Sequence, residues 1–266
     1  MLIDVPSPAD GRPLKYQEVA DQLRRRIAAG VYPPGAPLPA EPALMAEFSV
    51  SRGTVREAIG QLRNEGLVIT EQGRGSHVRP NLPVRRRGSL RYREDLDAAL
   101  AGTPAEPSTS FTRDQGIAWD AYELEKTYSQ VPADAVLADL LGLPEGRQLL
   151  RRRFVFRSHG HVQQMSTTYM PLAMVRGTPI MDPDREPWPG GTLAQLLSIG
   201  VRVTGVREVV RGRVATRDEA DVLGVGVTSQ VQVVTRQMYA DERVVEAAEV
   251  VIPADRVELE YWIPLD

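Results

Sequence analysis

Apolar residues recur at helical spacing three times in the first quarter of the chain. Tyr16, Val19, Leu23 and Ile27 predict an amphipathic helix over residues 15–29, ended by Gly30. The Pro- and Gly-rich run "GVYPPGAPLP" then breaks the pattern. Leu44 and Phe48, one helical turn apart, mark a short second helix. After the turn "SVS", Val55, Ala58, Ile59 and Leu62 return at i, i+3, i+4 and i+7, giving a third helix with one buried face. Ser51 stands at its N-cap position, and Gly66 where a left-handed terminating residue belongs. The period then shortens to that of strands. "LVITEQGRGSHVR" reads as two β-branched runs around Gln72-Gly73-Arg74-Gly75, a hairpin with a flexible basic tip.

Beyond residue 103 the pattern repeats itself at a constant offset of 82 residues, with Ala138, Leu141, Gly142 and Pro171 matching Ala220, Leu223, Gly224 and Pro253. Each unit is a short helix ended by Gly, then two β-rich runs forming a hairpin, then Pro. Thr216 and Glu219 add a capping box to the second unit. Between the units lie "GTLAQLLSIGV", a helix ended by Gly200, and the strand "RVTGVREVVRGRV". Two helix-plus-hairpin units sharing one sheet imply an α+β domain with a largely antiparallel sheet. "PNLPVRRRGSLRY" mixes Pro, Gly and Arg without apolar period and reads as a linker, and "GTPAEPSTS" is a second irregular stretch. The division is therefore residues 12–82, a linker over 83–102, and a second domain over 103–258.

Charge gives the first part a function. The formal net charge is −3, yet from Arg12 to Arg93 there are 15 Arg plus Lys against 7 Asp plus Glu, while the remainder holds 17 against 28. A basic block beside an acidic one reads as a polyanion-binding module attached to something else. Arg52, Gly53 and Arg56 project from the face of the third helix opposite its apolar stripe. A helix entering the DNA major groove by its N-terminal end brings such residues to base edges, and Arg is well shaped for bidentate contact with guanine. Two helices, a tight turn, the reading helix and a wing, in that order, form a winged helix-turn-helix. The chain contains no Cys, which excludes a disulfide framework and a thiolate metal site and suits a reducing cytoplasm. No apolar run is long enough for a membrane span, and "MLIDVPSPADGRP" lacks the apolar core of a signal peptide.

The repeat also acts as a control on the second domain. Arg151 and Arg153 correspond to Val233 and Thr235, and Ser166 and Thr168 to Ala248 and Val250. With a turn at His159-Gly160, cross-strand partners sum to 319, which sets Arg153 opposite Ser166 and Arg151 opposite Thr168. Two guanidiniums and two hydroxyls on one sheet face suit a carboxylate or phosphate. The same four residues on a solvated face are the open alternative. No Ser/His/Asp or Cys/His set points to catalysis. His159 and His161 bracket a turn, and the third histidine, His77, lies in the wing, so neither a metal nor a cofactor is expected.

"LPAEPALMAEFSVSRGTVREAIGQLRNEGLVITEQGRGSHV", from Leu38 to Val78, resembles the DNA-binding domain of the GntR family of bacterial transcriptional regulators. That resemblance implies recognition-helix contacts from Ser51, Arg52, Thr54 and Arg56, and wing contacts from Gly73 and Arg74. Ala40-Glu41-Pro42-Ala43 departs from the family's Ser-Glu-Arg-Glu-like run, which removes one arginine that often touches DNA. "LLGLPEGRQLLRRRF", "STTYMP" and "VELEYWIP" are similar to the UTRA domain of the HutC subfamily, implying a chorismate-lyase-like antiparallel-sheet fold that binds a small effector. On that resemblance Arg151 and Arg153 are the effector-binding arginines, joined by Ser166, Thr168 and Glu246. Ser166 stands where sugar-phosphate binders carry Glu. The reading is thus a non-enzymatic repressor, a homodimer on a near-palindromic operator, released by a small anionic effector. A repressor whose second domain only dimerises, and a lyase-like enzyme, are the alternatives.

Overall fold

A computed structural model describes residues 14–71, 75–102 and 106–263. The chain divides into two units, each with its own core: the first runs to Asn81 and includes the short stretch Gly226–Thr228, and the second holds the rest.

In the first unit, α1 (Lys15–Ala28), α2 (Glu41–Phe48) and α3 (Arg52–Asn64) precede the antiparallel strands β1 (Val68–Glu71) and β2 (Gly75–Val78). The predicted stripes do the packing. Val19, Leu23, Leu44, Val55, Ala58 and Leu62 are buried together with Val68 and Val78. Ser51 caps α3 by accepting from the Thr54 N–H at 3.2 Å, and Gly66 takes a φ of 75° that L-residues avoid. The "GVYPPGAPLP" run is more than a break. Leu38 donates its N–H to the Ser76 carbonyl at 2.8 Å and Val78 donates to Ala36 at 2.9 Å, so this segment pairs with β2.

The second unit begins inside the expected linker. β3 (Arg85–Gly88) and α4 (Arg91–Ala101) are followed by α5 (Ser110–Gln115), β4 (Glu123–Pro132), α6 (Ala135–Leu141), β5 (Gln148–Ser158), β6 (His161–Pro171), α7 (Leu172–Val175), α8 (Gly191–Ser198), β7 (Gly205–Val214), α9 (Arg217–Leu223), β8 (Gln230–Ala240), β9 (Arg243–Pro253) and β10 (Val257–Glu260). β3 runs parallel to β10, with Arg87 opposite Leu259. The linker expectation over residues 83–102 is therefore corrected. Arg87 and Arg91 are buried, and a buried arginine carries no apolar signature in the sequence.

The main sheet has six antiparallel strands in the order β4-β5-β6-β9-β8-β7. The 82-residue offset maps α6 onto α9 and β5–β6 onto β8–β9, and it extends to β4 and β7. Both helices end at a glycine with φ of 63°, Gly142 and Gly224. The two hairpins even share a β-bulge, at Phe156/Arg157 and at Met238/Tyr239. α6 packs on one face through Ala138, Leu141, Leu149 and Ala247. The other face carries α7 and α8, with Leu172, Leu193 and Leu196 against Leu150, Met170 and Met238.

Candidate functional site

The edge of α3 opposite its apolar stripe is open. The Arg52 and Arg56 side chains are 61% and 62% exposed, at the N-terminal end of a helix whose own cap is already satisfied. Thr54 is half-buried, its Oγ1 3.0 Å from Ser51 Oγ. Gly73 and Arg74 lie outside the described residues. The residue that sequence reasoning passed over is Glu41, at the start of α2. Its carboxylate accepts from Arg56 Nε at 2.9 Å and from Arg52 Nε at 2.7 Å, and those two bonds, Arg56 first, hold its pKa below the usual carboxylate value. Both arginines are thereby oriented by one carboxylate through Nε. Ala40 supplies no side-chain cap to α2, and Pro42 opens the helix instead.

In the second unit the bulge decides the geometry. Past Phe156/Arg157 the cross-strand partners sum to 320, not 319: Arg152 lies opposite Thr168, Phe154 opposite Ser166, and Arg153 opposite Thr167. The expected convergence of Arg151 and Arg153 with Ser166 and Thr168 is thus corrected by one residue, which exchanges the faces. Arg151 and Arg153 are exposed on the far side, where Arg151 Nε donates to Ser129 Oγ at 3.0 Å. Ser166 and Thr168 do face inward, with Arg152 beside them.

Arg152 is fully buried, as is Glu246. Its Nε donates to Thr168 Oγ1 at 3.0 Å and its Nη1 to Gln195 Oε1 at 2.8 Å, while Glu186 and Glu246 lie 3.6 and 3.7 Å away. Glu246 is also held by Arg236 Nη2 at 2.9 and 3.2 Å. Burial, the largest single influence, would lower the Arg236 pKa, but Glu246, Tyr92 and Glu208 together more than offset it and the guanidinium stays charged. Tyr128 donates to Glu186 at 3.1 Å, and burial pushes its hydroxyl pKa up, so it remains a donor.

Above this layer is a cavity of about 100 Å³ bounded by Ser166, Thr168, Gln195 and Arg236, by aromatic side chains, and by Arg87 and Arg91. Arg87 contacts Glu208 at 3.5 Å and Arg91 contacts Asp114 at 2.8 Å. Burial lowers the Arg91 pKa to about 10, with the charge of Arg87 adding to the effect. Burial likewise raises the pKa of Asp114. No cluster of three or more His, Asp or Glu suited to a metal occurs among the described residues. No helix among them is long and apolar enough to cross a membrane.

An exposed arginine edge on a winged helix, followed in the chain by a sheet domain with a polar cavity, is the architecture of a DNA-binding transcriptional regulator. The comparisons agree. Residues 15–78 match the model of the bacterial regulatory proteins of the gntR family, and residues 127–258 match the UTRA domain. An uncharacterised HTH-type transcriptional regulator of Streptomyces coelicolor is 31% identical over 79% of this chain and 77% of its own. The histidine utilization repressor of Klebsiella aerogenes is 23% identical over 92% of both chains. A crystal structure of a GntR-family transcriptional regulator is 32% identical, covers 95% of this chain and 98% of its own, and superposes with a TM-score of 0.58. The chain belongs to the GntR family and, with its UTRA domain, to the HutC subfamily.

Proposed function

We propose that this regulator is a cytoplasmic, homodimeric repressor whose two winged helices occupy adjacent half-sites of a near-palindromic operator, about 34–36 Å apart. Ser51, Arg52, Thr54 and Arg56 read the major groove, with Gly73 and Arg74 at the wing. A small effector in the second unit weakens DNA binding by favouring a different arrangement of the heads. Ser166, Thr168 and the buried Arg152–Glu246 layer build the floor of that site; Arg151 and Arg153 lie on the other face of the sheet. The observation that carries the reading is the pair of exposed guanidiniums at the capped end of α3.

Selecting bound duplexes from random DNA and measuring mass in solution tests it. The expected result is a palindromic consensus bound by a dimer; a monomer, or selection without a consensus, would overturn it. The same assay examines Glu41. Glu41→Gln removes the acceptor that competes with DNA for Arg52 and Arg56, so nonspecific affinity is expected to rise severalfold and its salt dependence to steepen. An unchanged salt slope would show that Glu41 does not restrain them.

A further inference from the structure

The hairpin arginine that faces inward is already committed. Arg152 is bonded by Thr168 and Gln195 and lies between Glu186 and Glu246. Its pseudo-symmetric equivalent, Val234, is equally buried. Nη2 of Arg152 faces Glu246 at 3.7 Å without a hydrogen bond, but Arg152 does not line the cavity, and the capacity left for a ligand is elsewhere. Nε and Nη1 of Arg87 and the Nε atoms of Arg91 and Arg236 are buried without a hydrogen-bond partner, whereas Arg91 Nη1 is taken by Asp114 at 2.8 Å. All three residues line the cavity, and Arg87 and Arg91 are only 6% and 8% exposed. Among the described residues that line it, no buried acceptor is left in the same condition. A buried donor without a partner is unfavourable, so the missing component is an acceptor group.

Another part of the lining has a different character. The chain contains only four Phe, and three of them, Phe111, Phe154 and Phe156, line this cavity. Phe111 lies 5.1 Å from the rings of both Tyr122 and Phe156, and Tyr122 stacks on Phe156 at 6.2 Å with 13° between planes. Leu124 and Trp188 extend the surface. Such a wall accommodates a flat apolar body through offset or edge contacts.

We infer that the cavity takes a small aromatic carboxylate, its ring on Phe111, Tyr122 and Phe156 and its carboxylate on Arg87 and Arg91. This rests on the effector reading above and names its ligand class and its anion-binding residues. Guanidinium forks bind a carboxylate bidentately, and an anion there also relieves the repulsion between two buried cations. Arg87 and Arg91 belong to the segment that enters the second unit directly after the DNA-binding unit. The group that detects the ligand's charge is thus part of the chain leading to the DNA-binding head.

The test uses the full chain, with benzoate, its neutral analogue benzamide, and inorganic phosphate as probes. Benzoate at about 10 mM is expected to raise the melting temperature saturably, because a ligand of the folded state stabilises it, whereas benzamide and phosphate are not. Arg87→Gln and Arg91→Gln should each weaken benzoate binding about tenfold or more in calorimetry, and Arg153→Gln, on the other sheet face, should not. No response to benzoate, an equal response to benzamide, or a response to phosphate alone overturns the ligand class. Unchanged benzoate affinity in both variants overturns the role of Arg87 and Arg91. If a Gln variant fails to fold, Arg87→Lys and Arg91→Lys keep the charge and lose the fork, and the same loss of affinity is expected. Operator binding by the ligand-free protein is measured in parallel. Its failure would sink the repressor reading while leaving the benzoate result to stand by itself.

Discussion

Replacing Arg52 and Arg56 together by alanine is expected to lower operator affinity about 30-fold or more while leaving the fold intact. A well-placed bidentate base contact is worth about 1–3 kcal/mol, and two are removed. Stability should change by less than about 0.5 kcal/mol, because both side chains are largely exposed and the N-cap of α3 is made by Ser51 and Thr54. Fluorescence anisotropy on the selected operator and on a shuffled duplex, beside a thermal melt, separates the two quantities. Unchanged operator affinity would remove α3 from the reading role. A matching drop in melting temperature would mean that the residues act through the fold.

The largest effect on stability is expected from Arg152→Met. The side chain is fully enclosed, and its loss leaves Glu186 without its arginine and Glu246 with Arg236 alone. Breaking a buried charge pair from one side costs roughly 3–5 kcal/mol, or on the order of 10 °C in melting temperature for a domain of this size. Arg153→Met is the internal control. It is the next residue along the same strand, but its side chain is on the solvent side, and its effect should stay within about 0.5 kcal/mol. Differential scanning calorimetry would measure both. Equal effects would contradict the register that places Arg152, rather than its neighbours, inside.

That one-residue difference shows where sequence reasoning holds and where it stops. The reading helix, its cap and its glycine stop were legible because Val55, Ala58 and Leu62 keep a strict period. The two similar halves of the second unit were legible because the same glycine and proline punctuation recurs 82 residues on. The bulge was not legible, since Phe156 and Arg157 are ordinary strand residues and the extra position shows only in the pairing. Near the turn the simple count still holds, with Arg157 opposite Val162 and Ser158 opposite His161. The segment around Arg87 failed for another reason. Three consecutive arginines resemble a solvated run, and only the pairing of β3 with β10 and the burial of Arg87 mark the middle of the segment as interior. Glu41 was seen only as part of a departure from the family pattern, because its partners come from the next helix.

The internal duplication repeats the first hairpin with apolar residues at three of its polar inward positions. Val234, Ala248 and Val250 occupy, one repeat on, the positions of Arg152, Ser166 and Thr168, in strands with the same bulge and the same register. Copying those three residues back into the first hairpin would remove its inward guanidinium and hydroxyls, and Glu186 and Glu246, which face Arg152, would have to be neutralised with them. Such a chimera, assembled from the protein's own vocabulary, is expected to keep operator binding and to lose the effector response proposed above.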